Sequence, residues 1–296
     1  MPTTPFYVVN AFSNNPFGGN PAGVFPFAKG LTEELMQSIS KQLNLVETVF
    51  VLPSFEADFE LRYFTPHKEL PIAGHPTIAT WCALVMQKHI DASVRKIFKQ
   101  KTKLGIQDIQ LEFVDCEIQI LMQQPTPTYL GVMLNRSRVA EVFSLSENDL
   151  VPNLPIEAID TGLGHIVFGV RSLEALMRVR RNIEPLKDLC SEFKVSEAQI
   201  YCEETYDSTL NFHTRNISPR EGIEDPACGV GNSALLAYLM KNKVVDSDIA
   251  EIRAEQGYIE NMPSVILVRG SRATTGELNL TLGGTGIMMV KGEFSY

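Results

Sequence analysis

The chain has 296 residues, of which 44% are hydrophobic and 21% are charged, a composition typical of a soluble globular protein. Its formal net charge is −9 and it has no extended basic run, which argues against a nucleic-acid-binding surface. The 5 cysteines form no CxxC pair and the 5 histidines form no HExxH motif. Neither a disulfide framework nor a metal site is therefore indicated.

The N-terminal segment and the hydropathy pattern indicate no targeting or membrane segment. Residues 1–12 lack the basic and apolar regions of a signal peptide. No apolar run reaches the roughly 20 residues that a membrane-spanning helix requires. We therefore expect a cytoplasmic protein in a reducing environment, with neither a membrane nor a nucleic acid as its partner.

In the first half, strand and helix patterns alternate. Thr32 has the side chain of a helix N-cap, and Pro76 suits the first position of a helix because its missing N–H would be unpaired there. The predicted elements are, in chain order, a strand at 6–12, a turn-rich loop at 14–24, a helix at 31–43, strands at 48–52 and 59–64, a helix at 76–88, and two paired strands at 109–113 and 118–122 around Asp115.

The second half follows a predicted inter-domain linker at 123–131. Its predicted elements are strands at 157–161 and 165–170, helices at 172–181 and 185–193, strands at 198–202 and 209–214, a helix at 232–242, and strands at 265–268, 278–282 and 287–291. The helices at 76–88 and 232–242 are apolar almost all round, which is the pattern of a helix buried on every side.

One pattern occurs twice, about half the chain apart. Residues 62–86 and 215–240 each contain an arginine, a proline, an acidic residue, a glycine and then an apolar helical run. A period this long exceeds that of solenoid repeats, and it indicates two similar halves. We expect residues 1–122, completed by a C-terminal strand at 284–296, to form one domain and residues 130–283 to form the other.

Each copy of the repeat places a glycine, Gly74 or Gly229, at the start of its apolar helix. The first backbone N–H groups of a helix have no partner within the helix and can bind an anion such as a substrate carboxylate. The alternative is that both glycines only permit a tight turn between strand and helix. If the two halves face each other, the two helix starts can share one cleft.

Four side chains near these motifs are candidates for chemistry. Glu47 is flanked by apolar residues, and burial raises the pKa of a carboxyl group towards the value that a general acid/base needs; the alternative is an exposed acid at a strand end. His75 and Asp225 could hold a substrate or serve only in turns. Cys228 lies at a helix N-terminus, where the pKa of a thiol is lowered.

These motifs resemble those of the phenazine-biosynthesis isomerase family (PhzF-like proteins), relatives of diaminopimelate epimerase. The resemblance rests on four ordered segments that together cover essentially the full length: NAFSNNPFGGNPAGV, ETVFV around Glu47, YFTPHKELPIAGHPT and ISPREGIEDPACGVGNSA.

The resemblance implies an α+β fold of two pseudo-symmetric domains, each a β-barrel wrapped around a central helix, with the active site between them. It implies that Glu47 is the single acid/base, which moves a proton on one face of the substrate without a cofactor or a metal. From their positions in the shared motifs, the resemblance also implies that six residues bind the substrate: Asn20, Gly74, His75, Asp225, Cys228 and Gly229.

The chain departs from its relatives at three positions. The epimerase branch uses one cysteine from each half, but Ala73 occupies the position in the first half, so a two-thiol mechanism is excluded. In the second half, Cys228 stands where PhzF-like members usually have threonine, and Val230 replaces a small polar residue that is common in the family.

We therefore expect a cofactor-independent isomerase of a small carboxylate-bearing metabolite. A homodimer is the oligomeric state that we consider for it. The alternatives are a racemase or epimerase that uses Cys228 opposite Glu47, and a non-catalytic binding or interaction protein of the same fold.

Overall fold

The structure is a computed structural model that describes residues 1–114, 117–219 and 222–296. The predicted turn at Asp115, the neighbouring Cys116, and Arg220 and Glu221 of the second repeat lie outside the described residues. The helices are α1 (Glu33–Leu43), α2 (Gly74–Met86), α3 (Arg136–Val142), α4 (Leu173–Arg178), α5 (Ile183–Phe193) and α6 (Gly229–Lys241). Within the described chain, we find no helix with both the length and the apolar character that a membrane span requires.

The strands are distributed along the whole chain. They are β1 (Thr3–Ala11), β2 (Asn20–Phe25), β3 (Glu47–Leu52), β4 (Phe59–Phe64), β5 (Glu69–Leu70), β6 (Ile97–Thr102), β7 (Gly105–Val114), β8 (Glu117–Gln124), β9 (Thr128–Met133), β10 (Ile156–Asp160), β11 (Gly164–Gly169), β12 (Glu197–Cys202), β13 (Phe212–Ser218), β14 (Ile223–Asp225), β15 (Ile249–Gln256), β16 (Ser264–Arg272), β17 (Leu278–Gly284) and β18 (Gly286–Ser295).

The chain divides into two compact units, the first of which contains residues 1–123 and 283–296. In unit 1, β1 pairs with β2 and with β18, both antiparallel. Strand β2 runs parallel to β3, and α1 makes the crossover between them. Strands β3 and β4 are antiparallel, and β4 is parallel to β6. The result is a β-barrel around α2, which packs against β1, β2, β3 and β18.

Helix α1 covers the outside of this barrel. Thr32 is its N-cap and accepts a hydrogen bond from the N–H of Leu35, as predicted. The buried face of the helix carries Met36 and Ile39, which pack against Phe25, Phe50 and Phe64. Since the opposite face is charged, the amphipathic pattern fixes which side of α1 faces the sheet.

Unit 2 contains residues 124–282 and repeats this order of elements. Strand β10 pairs antiparallel with β9 and β11, β11 runs parallel to β12, and α4 and α5 make the crossover. Strand β12 is antiparallel to β13, which is parallel to β15. Helix α6 lies at the centre, against β10, β11, β12, β15 and β16.

A forked ion pair appears in both units and follows the sequence repeat. In unit 1, Nε and Nη2 of Arg62 donate to the two carboxylate oxygens of Glu69 at 2.8 and 2.7 Å. In unit 2, the same atoms of Arg215 donate to Glu224 at 2.8 and 2.7 Å. Each fork joins the strand that carries the arginine, β4 or β13, to the short strand that follows it and precedes the central helix, β5 or β14. The repeat is therefore present in the structure as well as in the sequence.

Both central helices are buried, as their apolar sequences predict. Helix α2 is buried from Pro76 to Leu84, and α6 is buried at nearly every position. The expected position of Pro76 is wrong: α2 begins at Gly74, so the proline is its third residue. A proline is tolerated there because the N–H groups of the whole first turn lack intrahelical partners. Helix α6 likewise begins at Gly229, three residues before its predicted start.

Two segments predicted as loop or linker contain strands. The predicted loop at 14–24 ends in β2, which pairs with β1 on one side and β3 on the other. Gly23 lies in β2 where a side chain would be crowded, because an added Cβ would lie only 3.1 Å from Oγ1 of Thr48. Similarly, the predicted linker at 123–131 contains the start of β9, which pairs with β10. In both segments the strand is set by pairing with distant residues, which outweighs a turn-like composition.

Candidate active site

Glu47 is the first residue of β3, and it pairs in register with Ala22 of β2. The rest of β3 is mostly buried, which holds the strand in the barrel and places Glu47 at its end. The side chain of Glu47 is 14% exposed. Its carboxyl group is therefore largely removed from water.

His75 lies beside this carboxyl group because it is the second residue of α2. Its Nε2 is 3.1 Å from Oε2 of Glu47. Burial lowers the pKa of His75 to about 3, opposed by a hydrogen bond with the Pro21 backbone. The imidazole is therefore neutral near pH 7, and the contact joins a carboxyl group to a neutral base or donor.

The N-terminus of α2 forms the third part of this arrangement. Its N-cap residue is Ala73, which makes no side-chain capping hydrogen bond. Thr77 instead donates from Oγ1 to the backbone oxygen of Ala73 at 2.7 Å. The N–H groups of Gly74 and His75 thus begin a helix without a side-chain cap, and the positive end of the helix dipole lies beside Glu47 and His75.

Asn20 lies on the neighbouring strand of the same unit. It is the first residue of β2, two residues before the partner of Glu47, and it is 2% exposed. Its position places it at the same end of the barrel as Glu47. Unit 1 therefore brings together four of the predicted site residues, namely Asn20, Glu47, Gly74 and His75.

The remaining predicted site residues lie together in unit 2, where α6 begins. Asp225 ends β14 and accepts a hydrogen bond through Oδ1 from the N–H of Ala227 at 2.8 Å, so it shapes the turn into the helix. Cys228 is the N-cap of α6, and its sulfur accepts from the N–H of Gly231 at 3.3 Å. The cysteine thus makes the side-chain cap that Ala73 lacks at the equivalent position of α2.

The expectation of a lowered thiol pKa is wrong for Cys228. Burial raises the pKa of this thiol well above its usual value, and the negative charges of Glu197 and Asp225 raise it further. The backbone N–H groups of Val230 and Gly231 oppose this shift only in part. Desolvation and the two acids outweigh the helix N-terminus, so the group is a thiol near neutral pH.

Gly229 has a steric requirement of its own. A Cβ at this position would lie 2.3 Å from Cδ2 of the buried Leu282, so the close approach of α6 to that side chain requires glycine. This favours the structural interpretation of Gly229, although its N–H remains part of the helix start.

Two further residues of unit 2 near this site, His165 and Glu197, are not identified by the sequence motifs. Glu197 is the first residue of β12 and pairs in register with His165 of β11, as Glu47 pairs with Ala22. Nε2 of His165 is 3.2 Å from Oε2 of Glu197 and 3.7 Å from Sγ of Cys228. An alignment of the two halves extended upstream of Arg62 and Arg215 would have found Glu197, since both acids begin the strand before the arginine strand.

Burial raises the pKa of Glu197, but the hydrogen bond and charge of His165, together with hydrogen bonds from Ser218 and Asn216, lower it by more, so the net shift is downwards. Among the described residues, His165, Glu197 and Cys228 form a group of three side chains whose ligand atoms lie within 4.8 Å of one another.

Comparison with known proteins agrees with the fold and with the motifs. The sequence model of the family described as "Phenazine biosynthesis-like protein" matches residues 9–292. An uncharacterized isomerase of Clostridium acetobutylicum is 29% identical over 97% of this chain and 96% of its own length. The trans-2,3-dihydro-3-hydroxyanthranilate isomerase of Pseudomonas aeruginosa is 29% identical over 97% of this chain and 98% of its own.

A solved structure shows the same fold over the whole chain. The PhzF-family phenazine biosynthesis protein of Bacillus anthracis superposes with a TM-score of 0.93 and is 30% identical, covering 100% of both chains. The fold of two similar barrels and the placement of Glu47 and His75 at the start of α2 agree with this similarity. The chain therefore belongs to the phenazine biosynthesis-like (PhzF) family and is an isomerase.

Proposed function

We propose that this isomerase moves a proton on a small carboxylate-bearing metabolite, without a cofactor, and that Glu47 is the acid/base. The observation that carries the proposal is the 3.1 Å contact between Oε2 of Glu47 and Nε2 of His75 at the uncapped start of α2. A largely buried carboxyl group beside a neutral imidazole can take up a proton from carbon and return it.

The start of α2 supports the choice of substrate class. Its N–H groups and helix dipole favour an anion, and they lie next to the residues that would transfer the proton. The relative from P. aeruginosa is named for trans-2,3-dihydro-3-hydroxyanthranilate, which is itself a carboxylate. We propose further that Asn20, Gly74, His75, Asp225, Cys228 and Gly229 bind or orient the substrate, as the family motifs imply.

The racemase alternative is less well supported. It requires a thiolate at Cys228, whereas burial and two neighbouring acids raise the pKa of this thiol. The non-catalytic alternative is not retained, because the full-length relatives are isomerases.

Solvent-exchange experiments test the proposal. The protein is incubated in D₂O with trans-2,3-dihydro-3-hydroxyanthranilate and with other small unsaturated or hydroxylated carboxylates, and the products are analysed by NMR. We expect deuterium at a new C–H position of an isomerised product, without inversion of a stereocentre. Label that appears only with inversion would favour the racemase alternative. Turnover that persists in Glu47→Gln would exclude Glu47 as the acid/base.

A further inference from the structure

We propose that His165, Glu197 and Cys228 form a zinc site in unit 2, in which Nε2, Oε2 and Sγ are three ligands of a tetrahedral Zn²⁺. The residues come from three separate segments: the start of β11, the start of β12 and the N-cap of α6. All three are buried, with exposures of 0%, 6% and 7%. The inference does not depend on the role proposed for Glu47, and it assigns Cys228 to the metal rather than to direct contact with the substrate.

The distances between the three atoms match the edges of a tetrahedral site. With Zn–N and Zn–O bonds of about 2.1 Å and a Zn–S bond of about 2.3 Å, tetrahedral angles place nitrogen and oxygen about 3.4 Å apart and sulfur about 3.6 Å from each. The observed separations are 3.2 Å for Nε2–Oε2, 3.7 Å for Sγ–Nε2 and 3.9 Å for Sγ–Oε2. A zinc ion fits among them with shifts of a few tenths of an ångström.

The histidine is oriented as a metal ligand. Its Nδ1 is 2.8 Å from the backbone oxygen of Leu163, and a hydrogen bond donated there leaves the lone pair of Nε2 for a metal ion. In a catalytic relay, by contrast, the acid and the thiol would lie on opposite nitrogens of the ring. Here both Glu197 and Cys228 face Nε2, so the three groups converge on one point.

Charge and ligand type favour zinc among the common divalent ions. Zinc binding would release the proton of the Cys228 thiol. The carboxylate and the resulting thiolate together neutralise a divalent cation, and a buried site tolerates no net charge without cost. Thiolate and imidazole are ligands that zinc prefers, whereas magnesium and calcium prefer oxygen ligands only. Three protein ligands also leave the fourth tetrahedral position for water or another small ligand.

Unit 1 provides an internal comparison. At the corresponding positions it has Ala22 in register with Glu47 and Ala73 as the N-cap of its central helix. The carboxylate is retained, but the nitrogen and sulfur ligands are replaced by alanines. The proposed site is therefore a property of unit 2, and substitution of His165 and Cys228 by alanine reproduces the arrangement of unit 1.

Metal binding by the purified full chain tests the proposal. The protein is treated with a chelator, loaded with Zn²⁺ or Co²⁺, and freed of excess metal. We expect one zinc ion per chain by elemental analysis, and a Co²⁺ spectrum with tetrahedral ligand-field bands and a sulfur-to-cobalt charge-transfer band. Zinc should also raise the unfolding temperature, because it binds the folded state.

Variants assign the ligands. His165→Ala, Glu197→Gln and Cys228→Ala should each weaken zinc binding by at least about a hundredfold, the upper end of the loss when only a residue that hydrogen-bonds a metal ligand is removed. Cys202→Ser, at another buried cysteine of the same unit, is the matched control and should bind zinc as the wild type does.

Two results would overturn the site. The first is a wild-type protein that retains no zinc and whose unfolding temperature zinc does not change, which would identify the cluster as a proton-linked ion pair. The second is a Co²⁺ spectrum without a thiolate band, and it is decisive even if a variant fails to fold.

Discussion

Glu47 and Glu197 occupy the same position in the two units: each is the first residue of a strand that runs parallel to the preceding strand of its barrel. Their surroundings differ. Glu47 lies 3.1 Å from a neutral histidine at a helix start, whereas Glu197 lies between a histidine and a cysteine and is more deeply buried. We propose that the same fold position serves proton transfer in one unit and metal binding in the other.

Substitution of Glu47 by glutamine should abolish most of the turnover. The amide is nearly isosteric with the carboxyl group but cannot accept the substrate proton. We expect kcat to fall by at least about a hundredfold, the low end for general acid–base catalysis, with an unchanged unfolding temperature. Glu34→Gln, at an exposed acid on α1, is the control and should leave kcat unchanged. Equal kcat values in the two variants would contradict the assignment.

The pKa of His75 makes stability depend on pH. The folded-state value of about 3 lies below the reference value of 6.5, so between these values the unfolded chain binds a proton that the folded chain does not. Stability should therefore fall as the pH decreases from about 6.5, by at most about 1.4 kcal/mol per pH unit for this group.

Denaturant titrations between pH 7 and pH 4 check this dependence, since His75→Asn should flatten the curve. The same argument predicts no inflection in kcat near pH 6.5 from His75, which is already neutral there. A variant with the same pH dependence as the wild type would show that another group is responsible.

The two forked ion pairs should differ in their contribution to stability. Arg215 and Glu224 are both nearly inaccessible, with side-chain exposures of 4% and 2%. Glu224→Gln should cost about 3–5 kcal/mol, the usual penalty for leaving a buried charge unpaired. Arg62 is more exposed and also contacts Glu33, so Glu69→Gln should cost clearly less. Free energies of unfolding from urea titrations test this order, and a reversed order would refute it.

Cys228 should resist alkylation in the folded protein. Its raised pKa keeps the thiol protonated near neutral pH, and only the thiolate reacts readily. Chelator-treated protein, with iodoacetamide at pH 7 and mass-spectrometric readout, should show slow modification of Cys228 when folded and fast modification when unfolded. Rapid stoichiometric labelling of the folded protein would instead support the thiol-base alternative.

Gly229 should not tolerate a methyl group. The added Cβ would lie 2.3 Å from Cδ2 of Leu282, and overpacking of a buried contact costs about 1–3 kcal/mol. Gly292→Ala is the matched control, because nothing lies within 4 Å of its Cβ position. Unfolding temperatures of the two variants should differ accordingly, and equal values would show that Leu282 yields without cost.

The parts of the fold that depend on local pattern are predictable from the sequence. Helix α1 shows its N-cap and apolar face, and α2 and α6 show the uniform apolarity of buried helices. Strand β15 escapes prediction because its buried positions include small alanines, Ala250 and Ala254, which give a weak alternating signal. Strands β2 and β9 escape it because their turn-like composition is outweighed by pairing with distant strands.

The candidate site divides in the same way. Glu47 and His75 are recognisable from their motifs, but their contact depends on how β3 and the start of α2 are brought together. Of the cluster around His165 only Cys228 lies in a recognised motif, and the members are 32 and 31 residues apart. Only the register of β11 with β12, and the capping of α6 by Cys228, place the three side chains at one point.

The pairing of β1 with β18 has a consequence for synthesis on the ribosome. Unit 1 takes its strands from both ends of the chain, with Thr3 opposite Ser295, whereas unit 2 is continuous in sequence. As the chain emerges from its N-terminus, unit 2 has all its residues before unit 1 does. Until β18 is synthesised, the edge of β1 that pairs with β18 has no partner, and the barrel that carries Glu47 is incomplete. We therefore expect completion of this barrel to be the last step of folding.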